Sequence, residues 1–216
     1  MKYGVLGTGM VGKAIAGKLV AIGHEVMMGS RIAGNEQARE WVSAAGSSAS
    51  QGTFAETAAF GELLFNCTSG SGSLEALGSA NPEDLEGKVL VDVANPLDFS
   101  QGMPPSLSVV NTDSLGEQIQ RAFPDARVVK ALNTVNCRLM VDPARVSGEH
   151  ALFIAGDDRA AKQAARELLQ SFGWAADRIT DLGDITAARA TEMYLPLWLR
   201  LIGTLQSADF NIKVVH

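Results

Sequence analysis

The chain has 216 residues, 46% of them hydrophobic, with 22 glycines and a formal net charge of −6. That length buries one full core, and that hydrophobic content excludes a disordered chain. An acidic balance without a basic stripe excludes a reader of phosphate backbones, so no nucleic-acid partner is expected. Cys67 and Cys137 are too few and too far apart for a zinc site or a disulfide framework. No metal is therefore expected, and both cysteines read as reduced thiols of a cytoplasmic protein. The first strand begins at residue 2, leaving no room for a signal peptide. No apolar run approaches bilayer length, so no membrane partner is expected.

Residues 3–6 form a short apolar run that predicts a buried parallel strand. The run breaks at Gly7-Thr8-Gly9, after which apolar residues recur at helical spacing: Val11, Ala14, Ile15, Leu19 and Ile22. Gly7, Gly9 and Gly12 thus fall in the G-x-G-x-x-G pattern of a dinucleotide site, set between a strand and a helix. In that pattern Gly7 permits the tight turn, Gly9 lets a pyrophosphate approach the backbone, and Gly12 lets the helix pack on the strand. The amides of Thr8, Gly9, Met10 and Val11 then point at the phosphates, aided by the helix dipole.

A second strand at 25–29 ends in Ser30-Arg31, with no acid until Glu36. An NAD site usually places Asp or Glu here to hold the ribose hydroxyls. A hydroxyl beside a guanidinium suits a 2′-phosphate instead, so NADP(H) is the predicted cofactor.

Residues 35–45 read as helix and 53–60 as a short capped helix. A buried strand at 63–67 ends at Thr68-Ser69-Gly70-Ser71-Gly72-Ser73, and a helix follows through Leu74 and Leu77. Residues 88–92 give another buried strand. Asn95-Pro96-Leu97-Asp98 then opens a long loop containing Gly102, Pro104 and Pro105, of a length that is often functional. Helix resumes near Ser114, and a strand at 127–132 leads into Asn133-Thr134-Val135-Asn136. The pattern restarts with a strand at 151–155, a helix at 159–172 capped by Asp157 and Asp158, and a short strand at 179–182. Residues 185–205 carry an apolar helical stripe that includes Met193, Leu197, Trp198, Leu201 and Ile202, with Pro196 predicting a kink or break. This alternation predicts one Rossmann-like α/β domain over 1–216. Its core is a doubly wound parallel sheet, and 184–216 form a C-terminal helical extension.

Ligands in such sheets bind beyond the carboxyl ends of the strands, near the switch point. Segments 8–11, 30–31, 68–70, 94–97 and 133–136 are therefore expected to share one crevice. Thr68 and Ser69 are candidates for the nicotinamide half, with Gly70 and Gly72 allowing close approach, and Asn95-Pro96 sets an extended turn beside it. His24, His150 and His216 fall outside these segments, and Cys67, one residue short of the crevice, reads as core packing. Reduction of a carbonyl or imine needs a proton donor in the site, whereas hydride transfer to a flavin-like ring needs mainly two stacked rings. A crevice of hydroxyls and amides suits the second chemistry, and no catalytic side chain is assigned. Lys130 keeps two readings, an inward-pointing acid or a solvated or structural lysine.

Four stretches in this order carry a family resemblance: the glycine motif 7–12, Gly29-Ser30-Arg31, Asp92-Val93-Ala94-Asn95-Pro96 and Lys130-Ala131-Leu132-Asn133-Thr134. With Ala155-Gly156-Asp157-Asp158 and the apolar C-terminal helix, nearly the whole chain resembles the deazaflavin-dependent NADP oxidoreductases, which use coenzyme F420. The layout is also similar to the cytosolic NADPH-binding domain of the six-transmembrane metalloreductases, where a flavin accepts the hydride. The resemblance implies that Thr8 to Val11 hold the pyrophosphate and that Ser30 and Arg31 hold the 2′-phosphate. It places Thr68, Ser69, Asn95 and Pro96 beside the nicotinamide, and Leu97, Asn133 and Thr134 around the second ring.

The implied partner is a small-molecule redox acceptor, coenzyme F420 or a flavin (FMN or FAD). Asn133 stands where deazaflavin enzymes often carry His, and Gly34-Asn35-Glu36 stand where a basic residue often follows the Ser-Arg pair. Two other functions fit the same residues: NADPH-dependent reduction of a small carbonyl or imine, and a non-enzymatic NADP-binding redox sensor in which Asn133 fills the crevice. Enzymes of the first kind usually carry a substantial helical second domain, for which little chain is left here. The C-terminal stripe also has two readings, a helix packed on its own sheet or a homodimer contact as in the related oxidoreductases.

Overall fold

The computed structural model describes residues 1–215; His216 lies outside them. Strand β1 (Lys2–Leu6) leads through helix α1 (Met10–Ala21) to β2 (Glu25–Ser30), α2 (Glu36–Ala45) and β3 (Ala49–Thr53). Helix α3 (Phe54–Phe60) crosses to β4 (Leu63–Asn66), followed by α4 (Ser73–Gly78) and β5 (Val89–Asp92). The long loop holds a small hairpin, β6 (Leu97–Asp98) and β7 (Ser106–Leu107), ahead of α5 (Leu115–Ala122) and β8 (Arg127–Ala131). Then come α6 (Cys137–Val141), β9 (Leu152–Ala155), α7 (Arg159–Ser171), β10 (Ile179–Asp181), α8 (Ala188–Met193) and α9 (Leu195–Leu205).

Eight of these strands form one sheet in the order β3-β2-β1-β4-β5-β8-β9-β10. Its central strands are apolar runs because helices cover both faces. Val5, Phe65 and Val91 pack with Ile15, Leu19, Trp41, Leu169 and Phe172 on one side. Leu6, Leu64 and Leu90 pack with Leu77, Leu115 and Ile119 on the other. The parallel register aligns Gly29, Leu6, Asn66, Asp92 and Lys130 in one row across the sheet. The turns that follow these residues therefore all leave the sheet at one level, and the winding reverses between β1 and β4, beside Gly7.

One ladder departs from the expected all-parallel sheet. Strand β9 pairs antiparallel with β8, Lys130 facing Ala155. A parallel return needs a crossover, usually a helix that runs back along the sheet. Between β8 and β9 there is only the five-residue α6 and a short 3-10 turn at Pro143–Arg145, so the chain re-enters at the end it left. The longer α7 does make a crossover, and β10 pairs parallel with β9.

Neither β3 nor α6 is foreseen by the sequence reading. Strand β3 is Ala-Ser-Gln-Gly-Thr, with no aromatic and only the terminal Thr53 of the branched residues that mark strands; it forms because the edge of β2 offers it a ladder. Local signals are obeyed elsewhere. Thr53 and Glu56 make a reciprocal capping box on α3, and Asp158 caps α7 while Asp157 instead accepts the amide of Ile185. Pro196 sits in the first turn of α9 and splits the apolar stripe at Tyr194. Among the described residues no helix is long and apolar enough to cross a membrane.

A charged clasp joins α5 to α8. Arg189 donates from Nε to Glu117 Oε2 at 2.8 Å and from Nη2 to Glu117 Oε1 at 2.5 Å, and the Ser114 hydroxyl adds a bond at 2.7 Å. The Arg189 bonds hold the Glu117 carboxyl below its ordinary range. A carboxylate lowered on folding stabilises the fold above its unfolded pKa and loses that contribution as pH falls through the folded value. Thermal unfolding followed from about pH 5 to about pH 3 is expected to show a steeper loss in the wild type than in Arg189→Ala. Parallel curves would remove the clasp from the list of acid-labile contacts.

Candidate functional site

The crevice begins where β1 ends. Gly7 has a φ of +125°, a conformation that favours glycine, and its amide donates to the Gly29 carbonyl at 2.9 Å. A Cβ on Gly7 would run into the Cys67 carbonyl, and one on Gly12 into the Gly7 carbonyl. At Gly9 a Cβ would meet nothing within 4 Å. Two glycines are thus required by close packing and one leaves a cradle open. Gly9 is also the N-cap of α1, with no side chain capping the helix and no acid in its first turn. An open glycine at an uncapped helix start fits a pyrophosphate, which would take the free amides of Thr8 to Val11.

The expected adenosine side is the end of β2. Ser30 is buried and its hydroxyl donates to the Ile32 carbonyl at 2.6 Å, while Arg31 is exposed. The Gly34 amide is held by Gln51 Oε1 at 2.8 Å. Folded over Gly34, against the place its Cβ would take, is the guanidinium of Arg39. Sequence reasoning finds no second basic residue here because it looks a few positions after Arg31; the first turn of α2 brings Arg39 back to that loop. Its spacing from Asn35, the α2 cap, is the signal that would have found it.

On the other side of the switch point the crevice has a volume of about 240 Å³. Val11, Thr68, Ser69, Gly70, Val93, Ala94, Asn95, Leu97 and Phe99 line it, with Cys67 and Ser71. Of the predicted residues, Val11, Thr68, Ser69, Asn95 and Leu97 meet here. Pro96 backs Gly70, whose missing Cβ lets the two turns touch. Asn133 is buried behind the wall and bonded to Asn95 twice: its side-chain amide donates to Asn95 Oδ1 at 3.0 Å and its backbone carbonyl accepts from the Asn95 side-chain amide at 2.9 Å. Thr134 beside it is also buried and is not in the lining. Phe99, from the hairpin loop, is an addition that a sequence pattern alone does not place. Cys67 is in the wall and not short of it; burial and the nearby Asp92 push its thiol pKa up, so it stays protonated.

No lysine, histidine, arginine, tyrosine or carboxylate stands among the lining residues. Lys130 lies beneath them, fully buried, at 2.8 Å from Asp92 and 2.7 Å from Glu192. Burial opposes its charge, but the two carboxylates outweigh it and hold its pKa above the ordinary lysine range. The lysine is structural, and the reading of it as an inward-pointing acid is set aside. His24 stacks on Tyr3 with 4.9 Å between centroids. His150 is held between the Pro143 carbonyl and Asn211. A separate depression of the same volume, bounded by Pro82, Leu85 and Phe123, holds none of the predicted residues.

The three glycines separate binding from folding. Gly9→Ala is expected to unfold within about 1 kcal/mol of the wild type yet lose dinucleotide binding. Gly12→Ala is expected to lose roughly 1–3 kcal/mol of stability by overpacking. Thermal unfolding alongside NADPH titration checks both, and an unimpaired Gly9→Ala would remove the phosphate from this turn.

The model of the family described as coenzyme F420-dependent NADP oxidoreductase matches residues 2–96. An F420-dependent NADP reductase of Methanothermobacter marburgensis is 29% identical over 212 residues, covering 93% of this chain and 92% of that protein. The metalloreductase STEAP3 of Rattus norvegicus is 29% identical over 202 residues, covering 91% of this chain. The chain spans only 38% of that relative's length. A solved structure from Arthrobacter sp. FB24, described as a candidate F420-dependent NADP reductase, superposes with a TM-score of 0.95 at 51% identity over the whole of both chains. A reductive aminase of Aspergillus terreus solved with NADPH, 18% identical with a TM-score of 0.67, covers 95% of this chain and 62% of its own and shares the fold alone. The chain belongs to the family of coenzyme F420-dependent NADP oxidoreductases.

Proposed function

We propose that this NADP-dependent oxidoreductase passes hydride between the nicotinamide and a planar ring acceptor, a deazaflavin such as coenzyme F420 or a flavin. The observation that carries this is the lining of the crevice, which holds no lysine, histidine, arginine, tyrosine or carboxylate to act as general acid, only hydroxyls, an amide and a thiol held neutral by burial. Carbonyl or imine reduction needs such a donor; exchange between two rings needs orientation and exclusion of water. Bound NADP(H) supplies the hydride chemistry, and the chain supplies its placement.

The division of roles follows the geometry. Thr8 to Val11 bind the pyrophosphate, and Ser30 and Arg31, with Arg39 beside them, bind the 2′-phosphate. Thr68, Ser69, Asn95 and Pro96 frame the nicotinamide. At about 240 Å³ the crevice is below the roughly 300 Å³ at which small-molecule sites begin. It suits one ring, so the acceptor ring lies at the mouth, between Leu97 and the exposed Phe99. Asn133 is drawn behind Asn95 and leaves this space open, which favours an enzyme over a redox sensor.

The decisive experiment follows NADPH oxidation with coenzyme F420, FMN, FAD and small carbonyls as acceptors, in wild type and Arg31→Ala. Turnover is expected with one ring acceptor, and the KM for NADPH is expected to rise tenfold or more in the variant, by about the worth of a charged hydrogen bond. Turnover confined to carbonyls, or NADPH binding with no turnover at all, would replace the proposal.

We further propose that α9 pairs two copies of the chain. Of its residues only Leu195 is buried, while Leu197 and Leu205 are 55% and 52% exposed. Leu197→Glu is expected to convert a dimer to a monomer in sedimentation; a wild type that is monomeric at all concentrations tested rules the pairing out.

A further inference from the structure

The lining of the crevice is uncharged, yet a dense ionic cluster lies directly under it. Asp92, Lys130 and Glu192 are each 1% exposed or less. The Lys130 ammonium contacts Asp92 Oδ2 at 2.8 Å and Glu192 Oε1 at 2.7 Å, and donates to the Ala94 carbonyl at 2.5 Å. Asp92 Oδ1 accepts the Ala94 amide at 3.2 Å and the Asn66 side-chain amide at 2.8 Å. Asn66 Oδ1 in turn accepts the Thr68 hydroxyl at 2.7 Å and the Thr68 amide at 3.3 Å. Ser73 closes this side, 3.0 Å from Asn66 and 2.9 Å from the Thr68 hydroxyl. Glu192 receives the amides of Leu115 and Gly116 at 2.8 and 3.0 Å, which places it on the start of α5.

Both walls of the crevice are therefore held from below by the same ions. The 68–70 turn is reached through Asn66, and the 94–96 turn through Ala94. The turns also touch each other where Gly70 meets the Asn95 carbonyl. By contrast, no hydrogen bond in the structure links Asp92, Lys130 or Glu192 to residues 8–11 or to Arg31.

We propose that Asp92, Lys130 and Glu192 act as positioning residues for the nicotinamide half of the dinucleotide. They set the separation of the 68–70 and 94–96 turns and tie it to helix α8. A cluster that merely stabilised the fold would not distinguish the two ends of the ligand. One that sets the slot affects the nicotinamide end and spares the phosphate end. The proposal rests on the NADP assignment above.

The test is calorimetric titration of the full chain with NADPH and with adenosine 2′,5′-bisphosphate, which carries the 2′-phosphate but no nicotinamide. Asp92→Asn keeps the shape and removes the charge facing Lys130. Asn66→Ser cuts the link to the Thr68 turn and removes one donor to Asp92 Oδ1 while keeping all three charges and the Lys130 contacts with Asp92 and Glu192, and it decides the question should Asp92→Asn not fold. Each variant is expected to bind NADPH about tenfold more weakly, the worth of one hydrogen bond, while binding the bisphosphate within about twofold of wild type. Equal weakening of both ligands, or of neither, overturns the proposal. A wild type that fails to bind the bisphosphate overturns the NADP assignment itself, and this inference with it.

Discussion

The ammonium of Lys130 is carried into a place without water, and the order of the site follows from how that charge is met. Taking an ion of this size out of water costs several kcal/mol even after relaxation. Two carboxylates and a backbone carbonyl within 2.8 Å offset that cost. One negative charge remains in excess, and it is met by the amides at the start of α5, where the helix dipole favours an anion. The partners come from β5, β8, α5 and α8, so none of these contacts exists until the sheet and its covering helices are assembled.

Charge is thereby kept under the slot and out of it. In the proposed binding mode the two ends of the dinucleotide meet different physics. The phosphate end would meet backbone amides at an uncapped helix start and guanidinium groups near the protein surface. The nicotinamide end would meet hydroxyls, amides and apolar walls. A neutral slot suits a hydride that leaves and arrives without an accompanying proton from the protein. The Cys67 thiol belongs to the same economy: burial and the Asp92 charge keep it neutral although it faces the crevice.

The early part of the chain was legible because its signals are local. A strand that stops at Gly7, an open Gly9, a packed Gly12 and a Ser-Arg pair at the end of β2 each depend on neighbours within a few residues. Caps behaved likewise, as Thr53 and Glu56 show. What was missed is long-range. Strand β3 is polar and exists only because β2 has a free edge, and β9 is antiparallel because α6 is too short to carry the chain back. Arg39 reaches Gly34 through the turn of a helix, and Phe99 reaches the crevice through a hairpin whose two strands are only two residues each.

Taken alone, the sequence determined the α/β class, the glycine turn, the NADP(H) cofactor and three of the strand-end segments, 8–11, 68–70 and 94–97, that meet at the crevice, since periodicity and turn chemistry are written in consecutive residues. Only the tertiary structure decided the roles of Lys130 and Asn133. One could have been an acid and the other a plug. The ammonium is instead enclosed by Asp92 and Glu192, and Asn133 is drawn aside by Asn95. Both outcomes turn on burial and on partners distant in the chain, which a linear pattern does not contain.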